Sequence, residues 1–412
     1  MKRIWVALLA TIVVAAACSS SSADGQTLRI LTHADFELPQ EALDDFTTRT
    51  GIEIVVFREP DATKVVDLLS RTTETPVADV VIGFDTLDVA RVIDQRLVEP
   101  YSPLDTPFID ETLLIPGDWV TPVSFIDTCL NRSISHYLET ARRPDELPNP
   151  EDQLRRAPEA LADLVNPEHA ANLVIPNATT DRMGLFFLIA LARAFPESDD
   201  PEQAAWPQLV AEMLDAGTEI TDTWEEAYFQ HFVRDGLNEV VPDFDADQLV
   251  TPNEETNEDG SPSIAAGFGV RAITWGSAGM PAVTVRFRPD LPELVDIEVV
   301  NDGCLRIVSY AGIVQGTTNR RDAGRFMDTV VEPLFQFTLP DRFGSRPVRT
   351  DLVRTEDWKA FGVAVDATQL NPDRIGNQWE QLRLTWTQVI REYYEDPDPV
   401  PEDIILAPVD QG

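Results

Sequence analysis

The stretch "TLRILTHADFELPQEALDDFTTRTGIEIVVFREPDATKVVDLLSRTTETPVADVVIGFD" (residues 27–85) changes hydrophobic period several times in succession. "TLRILT" (27–32) reads as a strand, and "PQEALDDFTTRTG" as a helix that turns Leu43 and Phe46 inward and stops at Gly51 as its C-cap. "IEIVVF" is a second strand, and "ATKVVDLLSRT" a helix with Val65, Val66, Leu68 and Leu69 on one face. "ADVVIGF" is apolar throughout, as a strand buried on both faces must be, and "TLDVARVIDQRL" is the helix after it. Strands alternating with helices predict a parallel α/β sheet. Ligands of such sheets bind beyond the carboxyl ends of the strands. Those ends carry His33 and Asp35 after the first strand and Asp85 after the third.

Downstream, "WVTPVSFIDTCLNRSI" (119–134) reads as an extended crossing into a second lobe, and a Pro-rich charged stretch (144–158) as a surface excursion. "ANLVIPNATTDRMGLFFLIALARAF" repeats the grammar of strand, polar loop and apolar helix. "EITDTWEEAYFQHFVRDG" is amphipathic, with Trp224, Tyr228 and Phe232 at helical spacing. "VRAITW" and "CLRIVSYAGIVQGT" return as strands, "NRRDAGRFMDTVVEPLFQFTLP" is a helix closing at Pro340, and "GNQWEQLRLTWTQVIREYY" is the last helix. A chain of 412 residues exceeds one core, so two lobes are expected. The expected division puts 27–122 with about 280–340 in lobe 1, and 123–279 with about 341–394 in lobe 2. Residues 237–266 are expected as an acidic loop insertion, and 395–412 as an acidic Pro-rich tail.

The first 26 residues indicate a compartment. "MKR" precedes the apolar "IWVALLATIVVAAA" (4–17), which falls short of the about 20 residues needed to span a bilayer. It ends in small residues before Cys18 and the Ser-rich tether "SSSSADGQ". This resembles a bacterial lipoprotein signal, which implies lipidation of Cys18 and attachment to the outer face of the cytoplasmic membrane. The alternative is an ordinary cleaved signal with an incidental cysteine; in both readings the protein is exported. Acidic residues outnumber basic ones, 71 to 32, with a net charge of −39. Phosphate contacts need Lys/Arg clusters, so nucleic acid is not an expected partner, whereas a cationic ligand suits the charge. In an oxidising compartment the two other cysteines, Cys129 and Cys304, are either a disulfide or two buried thiols, and spacing does not choose between them.

The order of elements resembles the periplasmic-type solute-binding proteins of ATP-driven (ABC) importers, nearest to the thiamine-binding branch and related to the iron- and polyamine-binding ones. The segments carrying the resemblance are "LRILTHADF…ALDDFTTRTGIEIVV", "KVVDLLSRT…PVADVVIGFD", "TDTWEEAYFQHF" and "NRRDAGRFMDTVVEPLFQFTLP…SRPVRTDL". It implies a two-lobed type II fold with a ligand cleft between lobes joined by crossing strands. It also implies a monomer that works without catalysis, cofactor or bound metal and hands its ligand to a permease and its ATPase subunits. Carried over by position, Asp85 faces a cationic pyrimidine or thiazolium, Trp224 stacks on a ring with Tyr228 nearby, and Trp275 lines the opposite wall beside Ser277. His33 stands where the thiamine binders have an aromatic residue, and Phe343 is the aromatic near "RFGSRPV". The loop "NATTDRMG" offers Thr179 and Thr180, while Asp181 disfavours a phosphate, so the free cation is expected over a phosphorylated form.

Other readings of these residues stay open. Asp85 is alternatively a helix N-cap, and Trp224 with Tyr228 alternatively a core stripe. The ligand is alternatively a polyamine, metal ion or other small solute. In "WGSAG" (275–279) the glycines do not flank Ser277 with the symmetric spacing of a nucleophile elbow, which weighs against an exported hydrolase. A surface adhesion module is a further alternative. Asp243, Asp245, Asp247 and Glu254 echo a calcium loop, but Gln248 replaces the turn glycine, so a solvated acidic loop is expected.

Overall fold

In the computed structural model, residues 26–133, 136–137, 157–196, 205–232, 271–287, 297–339, 344–352, 362–376 and 378–394 are described. Cys18, Phe343, the insertion at 237–266 with its calcium-like carboxylates, and the 395–412 tail lie outside them.

The opening stretch folds as its periodicity predicts. Strand β1 (Thr27–His33) leads to helix α1 (Gln40–Thr50), β2 (Glu53–Glu59), α2 (Ala62–Arg71) and β3 (Val80–Asp85). Gly51 ends α1 at φ 71°, a left-handed conformation open to glycine without a Cβ clash. Asp61 caps α2 by accepting from the Lys64 N–H at 2.9 Å. β1 pairs in parallel with β2 on one side and β3 on the other. Every residue of β3 is buried, and burying each Val or Ile side chain contributes about 1.5–3 kcal/mol. The helix expected from Thr86 begins later, as α3 (Val89–Asp94), followed by the short β4 (Val98–Glu99).

Two long strands then connect the halves of the molecule. β5 (Thr121–Ser133) is the predicted crossing, and it pairs antiparallel with β9 (Ile297–Val314) along most of its length. Between them in sequence lie α4 (Pro167–Ala170), β6 (Leu173–Pro176), α5 (Arg182–Ala194), α6 (Trp206–Asp215), β7 (Glu219–Thr221), a π-helical segment (Glu226–Phe232), β8 (Ile273–Ser277) and α7 (Met280–Phe287). The amphipathic stretch expected as one helix from Glu219 therefore spends its first residues in β7. After β9 come α8 (Arg320–Val330), α9 (Pro333–Phe337), β10 (Arg346–Pro347), β11 (Thr368–Gln369), α10 (Pro372–Ile375) and α11 (Gln378–Tyr394). The single helix expected over 319–340 is broken in two at Pro333, whose ring prevents an uninterrupted helix.

The main path of the sheet runs β2-β1-β3-β9-β5-β8-β6-β7. One hydrophobic cluster surrounds β1 to β3, with Phe46 edge-on to Phe326 at 5.5 Å. A second surrounds β6 and β8, with Phe187 of α5 edge-on to Trp275 at 5.7 Å. The change of cluster occurs along β9, where Ile307 packs in the second and Val308 in the first. Residues from 280 to 307 were expected with the first lobe. Instead Met280, Val283, Ile297, Val300 and Leu305 pack in the second cluster, because the return crossing is the long β9 and not the segment after β8. A third, small cluster sits on the crossing strands themselves: Cys129 and Cys304 form a disulfide there, with Cα atoms 4.5 Å apart. The β5–β9 register shifts at the same place, between Thr128 and Leu130.

Candidate binding site

Asp85 ends β3, and the turn after it carries Asp88; both are buried. Asp85 Oδ1 accepts from the Leu87 N–H at 2.8 Å, which ties the turn before α3; the N-cap position of that helix is held by Asp88 and not, as the alternative reading expected, by Asp85. Opposite, Asp181 caps α5 and places Arg182 in its first turn, next to Met183 of the second core. The Arg182 side chain reaches across to the other lobe. Its Nε donates to Asp85 Oδ2 at 2.8 Å, Nη2 to Asp85 Oδ1 at 2.9 Å and also to Asp88 Oδ2, and Nη1 to Thr63 Oγ1 at 3.0 Å. Trp379 of α11 stands beneath the guanidinium, 5.6 Å from its centre, and donates its indole N–H to the Leu87 carbonyl at 3.2 Å. The lobes thus meet through a cation held by two carboxylates and a hydroxyl, with an aromatic ring alongside.

The electrostatics follow from this geometry. Burial disfavours the charge on Arg182, but the facing Asp85 and Asp88 outweigh it and raise its pKa. Burial raises the Asp88 pKa, opposed by Arg182 and reinforced by Asp85. Two carboxylates share one guanidinium, so Asp88 keeps unmet acceptor capacity: among the described residues, nothing donates to its Oδ1. His33 lies at the end of β1, with Nε2 3.0 Å from the Gly83 carbonyl and Nδ1 4.0 Å from Asp35. Burial lowers its pKa; Asp35 and Asp85 pull the other way, and Arg182 adds to the lowering. Gly83 itself adopts φ 96° at a bulge in β3, where an added Cβ would lie 2.6 Å from Phe36 Cγ.

In the polar loop "NATTDRMG", Thr179, Thr180 and Asp181 find their partners within the loop and in the neighbouring segment 222–224. Thr179 Oγ donates to Asn177 Oδ1 at 2.8 Å, and Thr180 Oγ donates to the Asp222 carbonyl at 2.8 Å. Asp181 Oδ1 accepts from the Met183 N–H at 2.7 Å, and Oδ2 from the Trp224 N–H at 2.8 Å. Burial nonetheless raises its pKa, against the lowering by these N–H groups.

The aromatic residues expected as ligand contacts are packed among themselves. Trp224 stacks on Tyr228 at 4.9 Å and donates its indole N–H to the Trp275 carbonyl at 3.2 Å. Trp275 and Tyr228 are wholly buried in the second core. Ser277 is wholly buried too, its Oγ accepting from the Gly279 N–H at 3.1 Å. The structure therefore brings His33, Asp35, Asp85 and Asp181 together at the junction, and sets Trp275 and Ser277 in the core behind it.

Arg182, Asp88, Thr63 and Trp379 were missed by reading the sequence. Arg182 alone had a usable signal, as the one cation in a polar loop at a strand-to-helix turn. No group of three or more His, Cys, Asp or Glu side chains is arranged for a metal among the described residues, and none of their helices is long and apolar enough to cross a membrane.

No family model matches the chain, and no curated protein matches it. Solved structures do resemble it. A periplasmic thiamin binding protein superposes with TM-score 0.60 at 16% identity, covering 88% of this chain and 96% of the other. Iron-bound HitA from Pseudomonas aeruginosa gives TM-score 0.60 at 12% identity over 88% and 99% of the two chains. The ferric binding protein from Campylobacter jejuni gives 0.58 at 14% over 88% and 99%. The chain has the fold these structures share, the two-lobed type II periplasmic-binding-protein fold, with its cleft between lobes joined by crossing strands.

Proposed function

We propose that this protein is the extracytoplasmic solute-binding component of an ATP-driven importer. It captures a small cationic solute between its lobes by hinge closure and delivers it to a membrane permease, breaking no bond. The observation that carries this reading is the buried carboxylate pair Asp85 and Asp88 at the end of β3, which faces a side chain of the opposite lobe. Lipidation of Cys18 would hold the protein at the outer face of the membrane, where the permease is reached by diffusion in two dimensions.

Within this reading the solute is a cationic aromatic compound such as thiamine. A carboxylate neutralises its charge, and indole faces add cation–π attraction of about 0.5–2 kcal/mol each. Trp379, already beside one cation, is better placed for this than Trp275. The packing of Trp224 on Tyr228 favours a second reading, an aliphatic cation such as a polyamine, which needs the carboxylates and not a pair of free rings. Calorimetric or tryptophan-fluorescence titration with thiamine, its phosphates and polyamines separates the two. Thiamine binding at micromolar concentration supports the first; its failure alongside polyamine binding supports the second. Failure of every cation removes the cationic-solute reading.

A further inference from the structure

We propose that Asp85, Asp88 and Thr63 form a recognition site for a planar cation with forked N–H donors, and that Arg182 occupies this site as an internal stand-in that the ligand must displace. Such cations include guanidinium, amidinium and protonated aminopyrimidine groups. The inference rests on the cationic-solute reading above and adds the shape of the cation and the identity of its competitor.

Three observations carry it. First, the Arg182 guanidinium uses its fork as a bound ligand would, with paired hydrogen bonds of 2.8 and 2.9 Å to the two oxygens of Asp85 and a flanking bond to Thr63. A planar fork matches a carboxylate edge, whereas a tetrahedral ammonium acts only as a point charge. Second, the contact joins residues that belong to different lobes. Asp85 ends β3 and Thr63 lies on α2, elements that pack in the first cluster, while Arg182 opens α5, which packs in the second; Asp88 lies in the turn between, where Leu87 touches the second cluster and Val89 the first. Hinge opening therefore separates the cation from its acceptors and leaves the carboxylates bare. Third, Arg182 leaves the site unfinished. Two carboxylates face one guanidinium, and Asp88 Oδ1 is buried without a donor among the described residues. A buried carboxylate oxygen without a donor costs free energy that a better-fitting cation would recover.

Arg182 is then part of the affinity of this protein. A ligand entering the open cleft and binding Asp85 and Asp88 excludes the guanidinium, by occupancy and by like charge. Its measured affinity is reduced by the strength of the internal contact.

Methylguanidinium is the probe that tests this, with binding followed by calorimetry on the full chain. In Arg182→Ala the vacated site should bind methylguanidinium at least about tenfold more tightly than the wild type does. Adding Asp88→Asn should weaken that binding by about tenfold again, and tetramethylammonium, which has no N–H, should bind neither variant. Arg182→Ser, compatible with the first turn of a helix, provides the same readout if the alanine variant does not fold. Equal binding of methylguanidinium by wild type and variant, or none by a folded variant, overturns the proposal. A protein that binds thiamine while its Arg182 variants ignore methylguanidinium keeps the importer role and loses this inference.

Discussion

Cys129 and Cys304 are joined where β5 and β9 cross, so one covalent bond spans the two strands on which the lobes are hung. The sulfurs are buried with Ala278 and Val299, and the β5–β9 register shifts beside them, between Thr128 and Leu130. Cross-linking residues 175 apart removes much freedom from the unfolded chain, while the native strands already lie side by side. The double substitution Cys129→Ala with Cys304→Ala should lower stability by about 2–5 kcal/mol, measured by urea denaturation. An unchanged midpoint and slope would show that the crossing strands need no tie.

Acid should weaken the junction through His33. Its pKa is lowered by burial in the folded protein, whereas an unfolded imidazole titrates near about 6.5. Below that value the unfolded chain binds a proton that the folded one resists, so this contribution to stability is lost as pH falls from about 6.5 through the lower folded pKa. The melting temperature of the wild type should drop more between pH 7.5 and pH 5.5 than that of His33→Gln. Parallel profiles would assign the dependence to other groups.

Asp181 acts as a cap and a clip in one side chain, holding the first turn of α5 and the Trp224 N–H. Asp181→Ala should cost about 1–2 kcal/mol or more in thermal or chemical unfolding, since a lost cap is joined by an unmet N–H. Asp181→Asn retains one acceptor and should lose less. A larger loss from asparagine than from alanine would argue against the capping role.

Gly83 is constrained by conformation and by space. A methyl group there would meet Phe36 at a backbone angle that L-residues rarely adopt. Gly83→Ala should destabilise by more than about 1 kcal/mol and weaken ligand binding, because the bulge lies two residues before Asp85 on the same strand. Melting together with titration of any confirmed ligand checks both effects.

Much of the architecture was readable from local pattern. The periods over 27–85 announced three parallel strands with their helices, the C-cap at Gly51 was correct, and "TPVSFIDTC" was extended as a crossing segment. The position of the return crossing is not legible in the sequence, because Met280 and Val283 of the second cluster are as apolar as first-lobe core residues. Period does not say which of two cores a residue joins. Trp224 and Tyr228 are neighbours on one face of a short helical segment, and four residues of spacing suit a core stripe and a ligand wall equally. Their burial against one another, with the Trp224 indole N–H on the Trp275 carbonyl, depends on β8 and appears only in three dimensions.

The sequence by itself determined the α/β class, the ends of the strands where charge would gather, and Asp85 as a residue at such an end. Those properties follow from interactions within a few residues along the chain. The tertiary structure alone decided that Arg182 meets Asp85 across 97 positions, that Cys129 pairs with Cys304, and that Trp275 belongs to a core. Each is a contact between segments far apart in the chain, which no local pattern encodes and which forms only when the strands and helices assemble in three dimensions.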